Sequence, residues 1–192
     1  AQALHAANRF SQYTQNRHVV EYRPSRAHPA TEAEIRAYQE ISARNGFIFL
    51  VHDDALLART VAADGVLCSS IQKATEARKL LDEGAIIGLR CATKAAAQSA
   101  LALEFDFITL FSDKHGDNMM DILHWWTTST DNPIAIEGPF DPENCESFVA
   151  ASATFIDSSH HIWTHPSGNM MQGVVNMLDA FERHKSTKKS LN

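Results

Sequence analysis

The chain has 192 residues, of which 44% are apolar and 21% charged, enough for one domain with a sizeable core. A net charge of −6 argues against nucleic acid as partner, because a phosphate backbone demands a basic face. No apolar run reaches the roughly eighteen residues a membrane span needs. The three cysteines, Cys68, Cys91 and Cys145, lack CxxC spacing and read as reduced thiols of a cytoplasmic protein.

Taken in order, residues 4–13 read as a helix with Leu4, Ala7 and Phe10 on one face. A strand follows over 18–23. Thr31 and Glu34 then form a capping box for a helix whose apolar face is Ile35, Tyr38 and Ile41 and which Asn45-Gly46 ends. Further strands are expected at 47–51, 65–68, 86–89, 105–110, 134–136 and 153–156. Between them lie helices over 54–63 and 70–82, an alanine-rich one capped by Thr93, and one capped by Asp117 that carries Ile122, Trp125 and Trp126. Another starts at Asp141-Pro142, and the last opens at Ser167 with Met171, Val174, Val175, Leu178 and Phe181 on its face.

This βαβα order predicts a parallel sheet, since parallel neighbours need a crossover and a helix makes it compactly. Seven strand–helix units point to an α/β TIM (β/α)8 barrel, its first strand missing upstream of residue 1, rather than to an open seven-stranded sheet. Residues 1–184 form a single domain and residues 185–192 a basic tail. In such a barrel the chemistry sits at the C-terminal ends of the strands.

The residues at those ends carry a family likeness. Phe49-Leu50-Val51-His52-Asp53-Asp54, followed by Ala62-Ala63-Asp64-Gly65-Val66-Leu67, is similar to the stretch of thiamine-phosphate synthases and their thiazole-tautomerase relatives in which a strand ends in Asn-Asp-Arg and the next opens with Ala-Asp-Gly-Val-His. Val20-Glu21-Tyr22-Arg23 resembles the family strand ending Gln-x-Arg-x-Lys, and Ala85-Ile86-Ile87-Gly88-Leu89 its Ile-Ile-Gly-x-Ser strand. Pro133-Ile134-Ala135-Ile136-Glu137-Gly138 resembles its Pro-Val-x-Ala-Ile-Gly-Gly strand.

The resemblance implies a barrel enzyme that joins a pyrimidine diphosphate to a thiazole phosphate, with Mg2+ helping pyrophosphate to leave. Such chemistry needs carboxylates for the metal, cations for pyrophosphate and backbone N–H groups for the second phosphate. It implies Arg23 as the pyrophosphate arginine and Asp53 as the first metal carboxylate. The second metal carboxylate falls at Gln72, a weak neutral ligand for a hard cation. Arg90 replaces the serine after Ile-Gly, Lys114 is the counterpart of the loop lysine, and Gly138, Ser158 and Ser159 stand where the second phosphate binds. The tautomerase branch needs a histidine where Ser112 stands.

Two readings of the site stay open on these residues. In one, Arg23, Arg90, Lys114, Gly138, Ser158 and Ser159 bind a small phosphorylated ligand in a synthase-like protein whose active site is eroded and whose activity is weak or lost. In the other, the cations merely offset Glu21, Asp53, Asp54 and Asp113, and the barrel is a non-catalytic scaffold with at most a phosphate pocket. No residue is assigned as catalytic, and association into a homo-oligomer is left open. His160, His161 and His165 read as a loop or packing feature, and Cys68 and Cys91 as buried packing residues.

Overall fold

Side chains alternate along each strand, and each of the two sets has its own surroundings. The computed structural model describes residues 18–189 except Arg26 and His28. The helix expected over residues 4–13, the strand expected upstream of residue 1 and the side chains of the basic tail lie outside the described residues. Seven parallel strands pair in chain order: β1 (Val19–Tyr22), β2 (Ile48–His52), β3 (Gly65–Cys68), β4 (Ile86–Cys91), β5 (Phe107–Phe111), β6 (Ile134–Glu137) and β7 (Phe155–Ile156). Helices α1 (Glu32–Arg44), α2 (Ala55–Thr60), α3 (Ile71–Leu80), α4 (Lys94–Ala102), α5 (Met119–Ser129) and α6 (Glu146–Ala150) alternate with them. A short α7 (Ser159–Trp163) and the long α8 (Met170–Lys189) follow β7.

One set of strand residues faces the helices. Phe49, Val51, Val66, Ile87, Leu89 and Ile108 share a single buried cluster with Ile35 of α1, Ala74 and Ala77 of α3, Ala97 of α4 and Trp126 of α5. Val20 and Tyr22 pack against the same cluster. Small alanines let the helices lie close to the sheet, and each fully buried aliphatic chain contributes about 1.5–3 kcal/mol. The other set lines the concave side: Leu50, Leu67, Gly88, Phe107 and Thr109 below, and Glu21, His52, Arg90 and Glu137 nearer the strand ends.

The sheet is strongly curled. Arg23, just after β1, reaches Glu137 at the end of β6 with N–O distances of 3.0 and 2.8 Å. Five strand spacings in a flat sheet would separate them by roughly 24 Å, well beyond the reach of the two side chains. This is a TIM-like α/β architecture, with β1 and β7 as the sheet edges among the described residues.

At the opposite end of the strands, one device recurs. Asp64, Asp106 and Thr154, each immediately before an odd-numbered strand, accept the backbone N–H of Phe49, Ile87 and Ile134 through their side chains. Each donates its own N–H back to the carbonyl of that same residue. The Asp of the Ala-Asp-Gly-Val motif is thus a structural clasp between β2 and β3. The turns before β2, β3, β5 and β7 pass through positive φ at Gly46, Ala62, Glu104 and Ser152. Only the first of these uses the residue that does so without strain.

Several expected boundaries move for local reasons. Asn118, not Asp117, caps α5, accepting the Met120 N–H at 2.9 Å, while Asp117 turns back to take the Lys94 N–H at 2.6 Å. Asp141 accepts the N–H groups of Glu143 and Asn144, so Asp141-Pro142 opens a turn and α6 begins only at Glu146. Ser167 precedes α8, whose first turn is capped by Asn169. Met171 is 42% exposed, and Met177 and Ala180 join Val174 and Leu178 on the buried face instead. The sequence around Ser159 holds α7, which the loop reading missed.

A glycine on the strands marks the tightest approach. A Cβ on Gly65 would lie 1.9 Å from the Ile86 carbonyl oxygen, a backbone atom that cannot swing away. Replacing Gly65 by Ala is therefore expected to lower stability by about 1–3 kcal/mol or more in urea unfolding. Gly84→Ala, where the added methyl meets nothing within 4 Å, should leave the midpoint nearly unchanged.

Candidate functional site

The concave face of the sheet brings four charged side chains and a histidine to the strand ends. Glu137, last residue of β6, is the hub: its side chain is 17% exposed. Arg23 binds it in a two-pronged manner at 3.0 and 2.8 Å, and Arg90, last but one in β4, does the same at 2.9 and 2.8 Å. Such forked guanidinium–carboxylate pairs are the strongest of side-chain hydrogen bonds. The Arg90 guanidinium also lies 4.1 Å above the Phe111 ring of β5, which fixes its approach. Arg23 turns its remaining donors to Glu21 at 2.8 and 2.9 Å, and Glu21 accepts or shares a proton with His52 Nδ1 at 2.7 Å.

The β2 end holds the second cluster. Asp53 sits at φ 59°, in the left-handed region where a non-glycine residue is strained. Its carboxylate accepts the Ser69 N–H and hydroxyl, both at 2.6 Å, and the Lys73 ammonium at 2.7 Å. Asp54 points the other way and caps α2 through the Leu57 N–H at 2.8 Å. Of the two adjacent carboxylates, one therefore faces the strand ends and one serves the helix. Gln72 is exposed in the first turn of α3, one residue before Lys73. Beside Asp53, a cleft of about 170 Å³ opens between α2 and α3, lined by Lys73, Glu76, Leu56 and Leu80.

Electrostatics follow from these contacts. Burial pushes the Glu137 carboxyl up, but the bonds to Arg23 and Arg90 outweigh it and hold the group at about 2. Burial likewise raises Asp53, and Lys73 and Ser69 bring it down to about 2. Glu21 is lowered too, against its burial, by His52 and Arg23. Arg23 is raised above its ordinary value by Glu137, with burial opposing. Burial alone accounts for most of the rise of Cys68 and Cys91 to about 12, so neither buried thiol is an available nucleophile. Glu21, Asp53 and Glu137 balance Arg23, Arg90 and Lys73, and the strand ends are electrically closed upon themselves.

The other sequence-derived candidates lie apart from this network. Gly138 is covered by Phe140, whose ring would be 3.0 Å from a Cβ placed there. Ser158 and Ser159 stand at the start of α7, where the Asp157 carboxylate accepts the Ser159 N–H at 2.9 Å. Lys114 is exposed on the loop between β5 and α5. The rings of His161 and His165 meet edge to face at 5.1 Å, and His165 bonds to Ser167 and Asn176, a packing arrangement as expected.

Two residues of the network escaped the sequence reading. Glu137 announces itself only as a carboxylate where the resembling motif has an apolar Ile. Lys73 sits in the first turn of α3, where a cation opposes the helix dipole and so implies an anionic partner nearby. Both signals were present, and neither specifies the partner.

The depressed Glu137 value makes acid stability a direct readout. A carboxyl whose folded value lies below its unfolded one stabilises fully above about pH 4.5 and loses that contribution as pH falls toward 2. Its size is on the order of 3 kcal/mol at neutral pH. Urea unfolding of Glu137→Gln is expected to show lower stability at neutral pH and a shallower loss between about pH 5 and pH 3, with the remaining slope due largely to Asp53. Acid limbs of equal steepness in both proteins would contradict this.

Comparison with known proteins places the chain. A family model described as thiamine monophosphate synthase matches residues 5–162. The thiamine-phosphate synthase of Erythrobacter litoralis is 29% identical over 153 residues, covering 74% of this chain and 72% of the relative. That of Thioalkalivibrio sulfidiphilus is 28% identical over 159 residues, covering 77% and 75%. The solved thiamine phosphate pyrophosphorylase from Pyrococcus furiosus shares the fold, with a TM-score of 0.77 at 15% identity over 95% of this chain and 89% of that one. Among the described residues no helix is long and apolar enough to cross a membrane. With most of its length matched and the same sheet beneath the site, the chain belongs to the thiamine monophosphate synthase family and is a thiamine-phosphate synthase-like protein.

Proposed function

We propose that this protein is a divergent thiamine-phosphate synthase whose strand ends receive a small phosphorylated ligand but whose metal-assisted coupling of pyrimidine diphosphate and thiazole phosphate is weak or lost. The observation that carries the reading is the Lys73 ammonium 2.7 Å from Asp53. A divalent cation there would need several oxygen donors at fixed positions. The donor set does not suit one. Asp53 is already shared among Ser69 and Lys73, the neighbouring position is Gln72, and among the described residues no group of three or more His, Cys, Asp or Glu side chains is placed to hold a metal.

Without such a cation, departure of pyrophosphate relies on side-chain charge, and Lys73, Arg23 and Arg90 each already face a carboxylate. The phosphorylated ligand is assigned to the ends of β6 and β7, at Gly138, Ser158 and Ser159, where it must displace the Phe140 ring from Gly138 and the Asp157 carboxylate from the Ser159 N–H. The curl that brings Arg23 to Glu137 supports an eight-stranded barrel with one more strand between β7 and β1. Three free buried thiols support a cytoplasmic location. Ser112, in place of the tautomerase histidine, speaks against that branch of the family.

Calorimetry of the intact chain tests this. Thiazole phosphate is expected to bind saturably, whereas Mg2+ should give no specific heat up to about millimolar concentration. Lys73→Ala, which removes the competing cation from Asp53 Oδ2 and leaves that oxygen only the Ser69 hydroxyl, should tighten Mg2+ binding by about tenfold. Tight Mg2+ binding to the unaltered chain that Asp53→Ala abolishes, or steady formation of thiamine phosphate at rates ordinary for enzymes, would refute the proposal.

A further inference from the structure

Glu137 does more than close a charge balance, because the two arginines that hold it come from opposite sides of the strand ends. Arg23 follows β1 and Arg90 belongs to β4, and neither is near the other in sequence, yet four of their N–H groups converge on one carboxylate. Each guanidinium has support of its own that does not involve Glu137. Arg90 lies on the Phe111 ring, and Arg23 is held by Glu21, which His52 steadies in turn. A pair of forked cations held in place by other groups is a recognition site for an anion with paired oxygens, and carboxylate and phosphoryl oxygens satisfy the same fork.

We infer that Arg23 and Arg90 form an anion site for a phosphate or diphosphate group and that the Glu137 carboxylate is its built-in occupant, holding the site shut. The sequence context agrees: Glu137 stands at the end of β6 where the resembling strand carries an apolar Ile, so the carboxylate is a charge added at that position. As part of the same chain, Glu137 competes at an effective concentration of millimolar or more, and a free anion must displace it from four hydrogen bonds. Displacement would also leave a largely buried carboxylate without a partner, which adds to the barrier. The intact protein therefore holds pyrophosphate weakly, and removing the carboxylate opens the site.

This inference rests on the reading of the strand ends as a ligand site, but its test is separate. It uses inorganic pyrophosphate without metal, so failure of thiazole phosphate or Mg2+ to behave as proposed above would not decide it. Isothermal titration of the full chain with pyrophosphate in EDTA at fixed ionic strength is expected to show at least about tenfold tighter binding for Glu137→Ala than for the unaltered protein. Adding Arg90→Met to Glu137→Ala should abolish the gain. Glu137→Gln, which keeps one acceptor oxygen for the arginines, is measured alongside in case the truncated side chain impairs folding, and should show a gain in the same direction. Equal affinity in the unaltered and Glu137-substituted proteins, or a gain that survives Arg90→Met, would overturn the inference.

Discussion

The centre of the strand ends depends on one largely buried carboxylate facing two guanidinium groups. Partly removing Glu137 and Arg90 from water is unfavourable, and the four short hydrogen bonds, with the Phe111 ring beneath Arg90, offset it. The contact also reports the geometry of the whole sheet, because β1 and β6 meet through it across the concave side. Sheet curl and site electrostatics are thus two readings of the same interaction. The aliphatic layer between sheet and helices supplies the bulk of the stability, while the clamp determines which charges face the space where a ligand would enter.

The same solution recurs around the site. Donors that an anionic ligand might otherwise use are met by carboxylates of the chain itself. Asp53 takes Ser69 and Lys73, Asp157 takes the Ser159 N–H, and Asp117 takes the Lys94 N–H at the start of α4. None of this disturbs the fold, since the strands are held by the outward-facing layer and by the Asp64, Asp106 and Thr154 clasps at the far end. Fold and site are therefore separable, and a family member can keep the first while changing the second.

This separation also explains what could be read from the sequence. The seven strands were legible because each is an apolar run between helical repeats, and strand edges differ from expectation by only one or two residues. Caps were legible where a single residue decides, as at Thr31 and Thr93, and misplaced where two neighbours compete, as at Asp117 and Asn118. Residues at strand ends were correctly placed as a group, but their pairing was not. Arg23 and Glu137 are 114 positions apart, and no local pattern tells an arginine which carboxylate it will meet. Asp64 is legible as part of a family motif, but its role as a backbone clasp is visible only once β2 and β3 are side by side.

The closed site requires Glu137 to be ionised and held by Arg23 and Arg90 in solution. The carboxyl carbon of Glu137, followed by NMR on 13C-labelled protein as pH is lowered, measures this without reference to any ligand. A resonance that stays in its ionised position down to about pH 3, below the range of ordinary glutamates, and whose midpoint moves up toward the ordinary range when Arg90→Met is introduced, is the expected result. An ordinary midpoint near 4.5 in the unaltered protein would contradict the clamp and the closed site built upon it.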